Sequence, residues 1–314
     1  MKLLLHYDAG PNLRSMLQDL PNSISAAIVA PGDDAALWQE LVDTDMLLHV
    51  LAPVTAAMID AAPKLKLIQK VGVGVDAIDR KHAASRSIAV CNMPGTNTAA
   101  VAEMTLALML ASLRRIAALN SAMPDGSAWS VSRLWGDAAE EIGGSTVGLV
   151  GYGAVPRRLV PVLSALGAHV LVANRTRYDC DVEFVELDDL LARSDITSLH
   201  LPSTNETFGL INADRFVCMK QGAILINTAR GSLIDEAALV DALDSGRLAG
   251  AGLDVFSREP PDAASRLFQL PNVVCTPHVA WLTRTTLRRS LDVAFDNAAR
   301  LRERRPLLSE IRED

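Results

Sequence analysis

Arg230, Glu259 and His278 are the side chains with which this chain could reduce a carbonyl group. A guanidinium offers two N–H donors to a carboxylate and its neighbouring carbonyl, and an imidazole gives and takes a proton near neutral pH. A carboxylate beside the imidazole fixes its tautomer and favours its protonated form. Together the three suit reduction of a 2-oxo acid. Taken singly, Arg230 could cap a turn, Glu259 could be a surface charge, and His278 could be a loop histidine.

These three residues and Asp254 lie at or just past the ends of short apolar runs that predict β-strands. The runs span 195–201, 223–228, 250–256 and 273–276, and helical patterns at 187–192, 213–219 and 235–243 alternate with them. Such alternation predicts a parallel sheet covered by helices. Because ligands of open sheets bind beyond the carboxyl ends of the strands, we expect the four side chains at one edge.

A glycine turn at Gly151 and Gly153 joins a predicted strand at 147–150 to a predicted helix at 154–166. Backbone N–H groups at a helix N-terminus bind phosphate, and the glycines let a pyrophosphate approach closely. The dinucleotide fingerprint has a third glycine, and Pro156 stands in its place. We therefore expect this helix to lie slightly off the sheet and the cofactor to bind less tightly.

The residues after the next predicted strand, at 169–173, bear on the choice of cofactor. NAD-binding chains carry a carboxylate there for the ribose 2′-hydroxyl, whereas this chain carries Asn174. Arg175, Thr176 and Arg177 follow, and they offer two guanidiniums and a hydroxyl to a 2′-phosphate. The pattern favours NADP over NAD, and the alternative is a loop of ordinary surface arginines.

Composition is typical of a globular protein with two domains. The chain has 314 residues, 49% of them hydrophobic and 21% charged, which is enough for two cores. The net charge of −7, without a long basic block, argues against nucleic-acid and membrane partners. Four scattered cysteines form no C-x-x-C pair and no metal cluster, which predicts reduced thiols, a cytoplasmic protein and no metal.

The N-terminal part predicts a second parallel sheet. Its strands are expected at 2–7, 25–30, 46–51, 65–71 and 88–93. After the fourth strand, the alternate glycines of the loop at 71–76 leave N–H groups that could face a carboxylate, although a tight strand-to-helix turn is an alternative.

A long helix is predicted at 99–120, with Thr98 as its N-cap. It is apolar over most of its girth, which predicts burial on several sides and a bridge between domains or subunits. The stretch 123–141 has no clear period and is interpreted as a crossing segment or an arm.

The sequence resembles the D-isomer-specific 2-hydroxyacid dehydrogenases. Matching segments run in the family's order from Val71 to Trp281, about two-thirds of the chain. They are VGVGVD at 71–76, PGTN at 94–97 with VAE at 101–103, GLVGYG at 148–153, INTARG at 226–231, GAGLDVF at 250–256 with EP at 259–260, and TPHVAW at 276–281.

The resemblance implies two Rossmann-like α/β domains with parallel sheets. A flavodoxin-like substrate domain would comprise 1–97 and 284–314, and an NAD(P)-binding domain 98–283. Arg230 would bind the substrate carboxylate and polarise its carbonyl, with His278 as acid/base and Glu259 as its partner. Candidate substrate-binding residues are Val73, Gly74, Arg230 and Trp281.

The resemblance also implies that Asp254 faces the nicotinamide carboxamide and that the long helix lies at a homodimer interface. The candidate cofactor-binding residues are Thr98, Val101, Thr105, Gly151, Tyr152, Gly153, Ala154, Val155, Asn174, Arg175, Thr176, His200, Leu201, Pro202, Thr207, Thr228, Ala229, Arg230, Asp254 and His278.

Trp281 and the segment around Trp129 are similar to the glyoxylate/hydroxypyruvate reductase and D-glycerate dehydrogenase branch. The expected reaction is therefore NAD(P)-dependent interconversion of a small 2-oxo acid and its D-2-hydroxy acid. One alternative is a cofactor-sensing protein like the family's corepressors, against which the intact Arg, Glu and His argue. The other is a dehydrogenase of another small anion, phosphite or formate, which only an assay separates.

Overall fold

The computed structural model describes residues 1–18, 24–130 and 139–312. The chain forms two compact units, one of residues 1–97 with 282–314 and one of residues 98–281. Each unit is built on a parallel sheet, so the predicted α/β class with parallel sheets is confirmed. The sequence put the second boundary at 283, and the role of each unit stays a prediction.

The first unit contains a five-stranded sheet with the order β2-β1-β3-β4-β5, which is the flavodoxin-like order. The strands are β1 Lys2–His6, β2 Ser25–Val29, β3 Met46–His49, β4 Leu67–Lys70 and β5 Ala89–Cys91. The helices are α1 Pro11–Gln18, α2 Asp34–Leu41, α3 Ala56–Asp60, α4 Arg80–Ser85 and, at the end of the chain, α11 Arg284–Glu303. The central strands β3 and β4 are buried at every position, as expected where helices cover both faces of a sheet.

Side-chain caps fix the start of most helices in this unit. Asp33, Thr55, Asp79 and Thr283 each accept a hydrogen bond from an N–H of the first helical turn. Each bond satisfies a donor that has no partner within the helix. Short polar residues between the apolar runs thus mark the helix starts.

The chain after α11 lies along β5. Cys91 and Glu310 form an antiparallel bridge, and the Ile311 N–H donates to the Val90 carbonyl at 2.8 Å. The buried Asn297 of α11 binds this segment through Leu308, whose N–H donates to Asn297 Oδ1 at 2.7 Å and whose carbonyl accepts from Nδ2 at 3.1 Å. The segment is therefore part of the sheet's edge.

The second unit contains a seven-stranded sheet with the order β12-β11-β10-β9-β6-β7-β8. Its strands are β6 Thr146–Val150, β7 His169–Ala173, β8 Glu183–Phe184, β9 Ile196–Leu199, β10 Ala223–Asn227, β11 Leu248–Leu253 and β12 Val273–Cys275. Its helices are α5 Thr98–Leu113, α6 Ile116–Ser121, α7 Ala154–Ala165, α8 Leu187–Arg193, α9 Ala213–Cys218 and α10 Glu236–Asp244. The strand order reverses at β6, and such a switch point is where dinucleotides bind in sheets of this kind.

Two predictions about the long helix are wrong. A single helix was expected at 99–120, but α5 ends at Leu113 and α6 begins at Ile116, because Arg115 between them is left-handed with φ 51°. None of the residues of α6 is buried, so apolar packing does not continue the first helix. Thr98 is the first residue of α5 rather than its N-cap.

Strands can also end before the apolar run that predicts them. The run at 250–256 gives a strand that ends at Leu253, after which Asp254 turns its backbone N–H to the Asn227 carbonyl at 2.9 Å. Of the predicted arm at 123–141, residues 131–138 lie outside the described residues.

Within the described ranges, none of the helices combines the length and apolar character that crossing a bilayer requires. The same ranges contain no group of three His, Cys, Asp or Glu side chains arranged to hold a metal ion.

Candidate active site

His278 and Glu259 form a close pair in the second unit. His278 Nδ1 lies 2.6 Å from Glu259 Oε2, and the two side chains are 22% and 32% exposed. Burial by itself raises the pKa of Glu259. The hydrogen bond and charge of His278, the Phe256 N–H and the charge of Arg230 outweigh burial and hold that pKa below its ordinary value. Glu259 is therefore ionised at neutral pH and keeps the proton of a neutral imidazole on Nδ1, so Nε2 is the nitrogen left to exchange a proton.

The buried carboxylate of Asp254 holds the loop that carries His278. Asp254 follows β11 and is fully buried. Its Oδ1 accepts from Thr276 Oγ1 at 2.6 Å and from the Val279 N–H at 2.9 Å, and its Oδ2 accepts from the Ala280 N–H at 2.9 Å. Burial raises the pKa of Asp254, while these hydrogen bonds and the charge of His278 oppose the rise.

The backbone of His278 is left-handed, with φ 53°. This conformation costs a residue with a Cβ atom roughly 1–2 kcal/mol. The His278 N–H donates to the Asp254 carbonyl at 2.8 Å, and Trp281 Nε1 donates to the His278 carbonyl at 3.1 Å. Hydrogen bonds from the N–H and to the carbonyl of His278 thus stabilise a backbone conformation that is unfavourable for a residue with a side chain.

A buried asparagine fixes the turn that carries Arg230. Asn227, the last residue of β10, is fully buried. Its Nδ2 donates to the Arg230 carbonyl at 2.8 Å and its Oδ1 accepts from the Ala229 N–H at 3.0 Å. The Arg230 guanidinium in turn donates from Nη1 to the Ala229 carbonyl at 2.7 Å. The half-buried Arg230 therefore lies on a turn after β10 that the Asn227 side chain holds by two hydrogen bonds.

Gly231 brings this turn against the chain that leads to Glu259. A Cβ atom on Gly231 would lie 1.9 Å from the carbonyl carbon of Phe256 and 2.0 Å from its oxygen. No side chain fits in that space, so glycine is required. The turn that carries Arg230 therefore lies against the segment that leads to Glu259, and the charge of Arg230 contributes to the lowered pKa of Glu259. His278, the third predicted catalytic residue, is hydrogen-bonded to Glu259.

The glycine turn after β6 fits the pyrophosphate of a dinucleotide. Gly151 is left-handed with φ 103°, and a Cβ atom there would lie 2.6 Å from the His200 carbonyl oxygen. Gly153 precedes α7 with no side-chain cap, and a Cβ atom there would meet nothing within 4 Å. Gly153 and Ala154 are exposed residues at the N-terminus of a 12-residue helix, and backbone N–H groups at such a position suit an anion.

Pro156 lies in the first turn of α7, where a missing N–H costs no helical hydrogen bond. It is buried together with Leu159 and Leu163, so its ring belongs to the packed face of the helix. Weaker cofactor binding because of Pro156 stays a prediction.

Asn174 and the arginines after it lie near this turn. Asn174 Oδ1 accepts from the Tyr152 N–H at 3.1 Å, and its Nδ2 donates to the Thr176 carbonyl at 2.7 Å. Arg175 pairs with Glu206 at 2.9 Å and Arg177 pairs with Glu186 at 3.1 Å, and all four side chains are well exposed. Exposed pairs of this kind are worth about 0–1 kcal/mol, so the guanidiniums can exchange partners at little cost.

The remaining cofactor candidates lie at strand ends or on α5. Burial lowers the pKa of His200 to about 3, so its imidazole is neutral, and Nε2 lies 2.9 Å from Ser198 Oγ. Thr207 Oγ1 donates to the Pro202 carbonyl at 2.7 Å and closes the loop that directly follows Leu201. Thr105 and Thr228 are buried and joined through their hydroxyls at 2.8 Å.

Four further candidates lie at the start of a helix and are at least partly exposed. Thr98 and Val101 lie in the first turn of α5, and Ala154 and Val155 in the first turn of α7.

In the first unit, the loop with Val73 and Gly74 follows β4. Val73 is exposed and Gly74 partly exposed, whereas Gly72 before them is buried and left-handed, with φ 131°. The loop is bound to the chain after β5: the Met93 N–H donates to the Gly72 carbonyl at 2.7 Å, and Asn92 Nδ2 donates to the Val73 carbonyl at 3.0 Å.

The sequence did not reveal two parts of this arrangement. Thr276 donates a hydrogen bond to the Asp254 carboxylate, which also binds the loop that carries His278. The sequence does not show this contact, because it depends on the register of β11 and β12. Arg157 on α7 lies over the rings of Tyr152 and Tyr178, at 5.1 and 4.4 Å from their centres. The sequence feature that could have indicated the Arg157 contact is the aromatic residue Tyr152 within the glycine turn.

The chain is similar to known proteins over much of its length. Residues 106–280 match the model of the D-isomer specific 2-hydroxyacid dehydrogenase, NAD binding domain. The chain is 42% identical over 236 residues to D-3-phosphoglycerate dehydrogenase of Archaeoglobus fulgidus, which covers 74% of this chain but 44% of that protein. This chain thus spans about half the length of such phosphoglycerate dehydrogenases.

Other relatives match over most of both chains. Hydroxypyruvate reductase of Thermotoga maritima is 40% identical over 258 residues, 81% of this chain and 83% of that protein. The crystal structure of TT0316 protein from Thermus thermophilus superimposes with a TM-score of 0.90 at 35% identity, over 99% of this chain and 100% of that one. The chain belongs to the family of D-isomer-specific 2-hydroxyacid dehydrogenases.

Proposed function

We propose that this protein is an NAD(P)-dependent oxidoreductase that interconverts a small 2-oxo acid, such as glyoxylate or hydroxypyruvate, and its D-2-hydroxy acid. The observation that carries the proposal is the pair formed by His278 Nδ1 and Glu259 Oε2 at 2.6 Å, with the Arg230 charge acting on the same carboxylate. The similarity to hydroxypyruvate reductase of Thermotoga maritima supports it.

In this proposal each residue has a role that follows from its surroundings. Arg230 binds the substrate carboxylate through its planar pair of donors and polarises the adjacent carbonyl. His278 donates a proton from Nε2 to the carbonyl oxygen, and the ionised Glu259 stabilises the protonated imidazole before the transfer. When bound, the reduced nicotinamide supplies the hydride. The Val73 and Gly74 amides are proposed as further donors to the carboxylate, and Trp281 as a substrate contact.

The cofactor is proposed to lie with its pyrophosphate on the N–H groups of Gly153 and Ala154. Asp254, Thr228 and Ala229 are proposed for the nicotinamide end. NADP is proposed as the preferred form, because Asn174 brings no negative charge and the arginines after it are paired with exposed carboxylates. A 2′-phosphate in place of Glu206 would give Arg175 a partner that is also charge-assisted and that offers more acceptor oxygens.

A homodimer is proposed because large apolar side chains are exposed along 110–129. Leu110 is 39% exposed, Ile116 and Met123 are each 53% exposed, and Trp129 is 76% exposed. Apolar surface of this kind commonly marks an interface. Light scattering of the purified protein tests this point. The four free cysteines support a further proposal, that the protein works in a reducing compartment, the cytoplasm.

The decisive experiment follows NADH and NADPH oxidation with a panel of 2-oxo acids, 3-phosphohydroxypyruvate included. His278→Gln and Arg230→Gln should lower kcat/KM by about 10²–10⁴-fold, far more than they weaken cofactor binding. The exposed pair of His169 and Glu183, 3.0 Å apart, and the exposed pair of Arg266 and Asp244 supply matched controls, so His169→Gln and Arg266→Gln should behave as wild type. Full turnover in both active-site variants would refute the proposal.

A further inference from the structure

The loop proposed to bind the substrate carboxylate is held by a side chain to which the function gives no role. Asn92 lies just past the end of β5 and is 8% exposed. Its Nδ2 donates to the Val73 carbonyl at 3.0 Å, and the following residue, Met93, donates its N–H to the Gly72 carbonyl at 2.7 Å. Two consecutive carbonyls of the loop are thus bound to the chain just past β5.

These two bonds set the direction of the donors. In a trans peptide the carbonyl of one residue and the N–H of the next lie in one plane and point in opposite directions. Binding the Gly72 carbonyl therefore turns the Val73 N–H away from Met93, and binding the Val73 carbonyl turns the Gly74 N–H away from Asn92. Gly72 makes the arrangement possible, because its φ of 131° suits a residue without a Cβ atom.

Asn92 itself is supported by a buried polar network. Its N–H donates to the Ser309 carbonyl at 3.2 Å, and its carbonyl accepts from Gln69 Nε2 at 3.4 Å. Gln69 Oε1 accepts from Asn297 Nδ2 at 2.7 Å, and both of these side chains are fully buried. The same Asn297 binds Leu308 on the segment beside β5. Because each amide is bound by others, Asn92 has little freedom to let the loop turn.

We propose that Asn92 is a positioning residue for substrate: through the Val73 carbonyl it orients the Gly74 N–H, and with Met93 the Val73 N–H, toward the carboxylate of a 2-oxo acid. The inference rests on the proposed function of the Val73 and Gly74 amides. It adds that the affinity for the carboxylate depends on a side-chain amide that need not touch the substrate.

The test compares Asn92→Ala and Asn92→Asp with wild type. Asn92→Ala removes the donor, and Asn92→Asp keeps the shape but sets a carboxylate against the Val73 carbonyl. Both variants should raise the KM for the 2-oxo acid and the Kd for oxamate, a carboxylate that is not reduced, by about tenfold or more. The Kd for the nucleotide should change less than about twofold, and kcat at saturating substrate should fall far less than kcat/KM, a split that general loss of folding would not give.

Asn272 offers a matched control, because its Nδ2 donates to the Ala249 carbonyl at 3.3 Å in the second unit. Asn272→Ala should bind oxamate as wild type does. A measurement on the wild-type protein covers the case in which the Asn92 variants do not fold: saturating oxamate should slow hydrogen exchange of the peptide that contains the Val73 and Gly74 amides.

The outcomes separate this inference from the proposed function. If wild type reduces 2-oxo acids but the folded Asn92 variants bind oxamate with unchanged Kd, or if oxamate leaves the exchange of the loop unchanged, the inference is overturned and the function stands. If wild type reduces no 2-oxo acid, the proposed function fails, while a tenfold loss of oxamate affinity in the variants would still support the positioning role.

Discussion

Acid should weaken the first unit through His49, the last residue of β3. His49 is 3% exposed, and burial followed by the charge of Lys70 lowers its pKa to about 3, although Ala52 and Asp76 oppose the shift. In the unfolded chain the imidazole titrates near pH 6.5. The unfolded state therefore binds the proton first as the pH falls, and stability that is complete above pH 6.5 is lost progressively from there toward pH 3.

The size of the effect follows from the two pKa values. At pH 7.5 the imidazole is neutral in both states and contributes almost nothing to the pH dependence. At pH 5.0, which is 1.5 units below the unfolded value, protonation favours the unfolded state by about 2 kcal/mol, at 1.36 kcal/mol per unit. His49→Phe removes the titrating group and fills a similar volume, so its first unit should lose about 2 kcal/mol less between pH 7.5 and 5.0 than that of wild type.

Urea unfolding at both pH values measures this difference. Because two units need not unfold in one step, the first unit is followed separately by hydrogen exchange of peptides from β1 and β3. His200→Phe removes a histidine of the second unit whose pKa is also about 3, and it should leave the first unit's pH dependence as in wild type. Equal losses in wild type and His49→Phe, within about 0.5 kcal/mol, would refute the reasoning, since His49 would then be protonated alike in both states.

Three further predictions concern the second unit. Gly231→Ala would drive a Cβ atom into the Phe256 carbonyl and should lower kcat/KM by about 10²-fold or more through displacement of Arg230, which steady-state kinetics measure. The Cβ atom of Gly153→Ala would meet no atom within 4 Å, so this variant should keep the wild-type melting temperature but bind nucleotide more weakly. Thermal melting and nucleotide titration check the second variant. Glu259→Gln keeps a hydrogen-bond acceptor but removes the negative charge beside His278, so kcat/KM should fall by about tenfold or more; unchanged kcat/KM would show that this charge has no role in turnover.

The overall fold could be predicted because buried parallel strands are continuous apolar runs. The runs containing β6 and β10 come directly before the residues that carry chemistry, and alternation with helices determines the class. Helix ends were harder, because Arg115 breaks the predicted helix by a left-handed turn that composition does not indicate. The confirmed family and α/β class thus rest on patterns that extend over many residues.

The candidate site was harder to predict because its contacts are distant in sequence. His278 and Glu259 are 19 residues apart and lie outside regular elements, so their pairing came from resemblance rather than from spacing. The close approach of Gly231 to Phe256 and the bond from Asn92 to Val73 depend on how separate segments pack. Their roles in catalysis, like that of every predicted site residue, stay predictions.

The left-handed backbone of His278 has a consequence for engineering. Glycine at that position would relieve the steric conflict at its Cβ atom and lose no backbone hydrogen bond to Asp254. A library screened only for survival of heating would therefore be expected to enrich proteins that lack the imidazole. Heat tolerance and turnover would have to be selected together, because this one position sets them against each other.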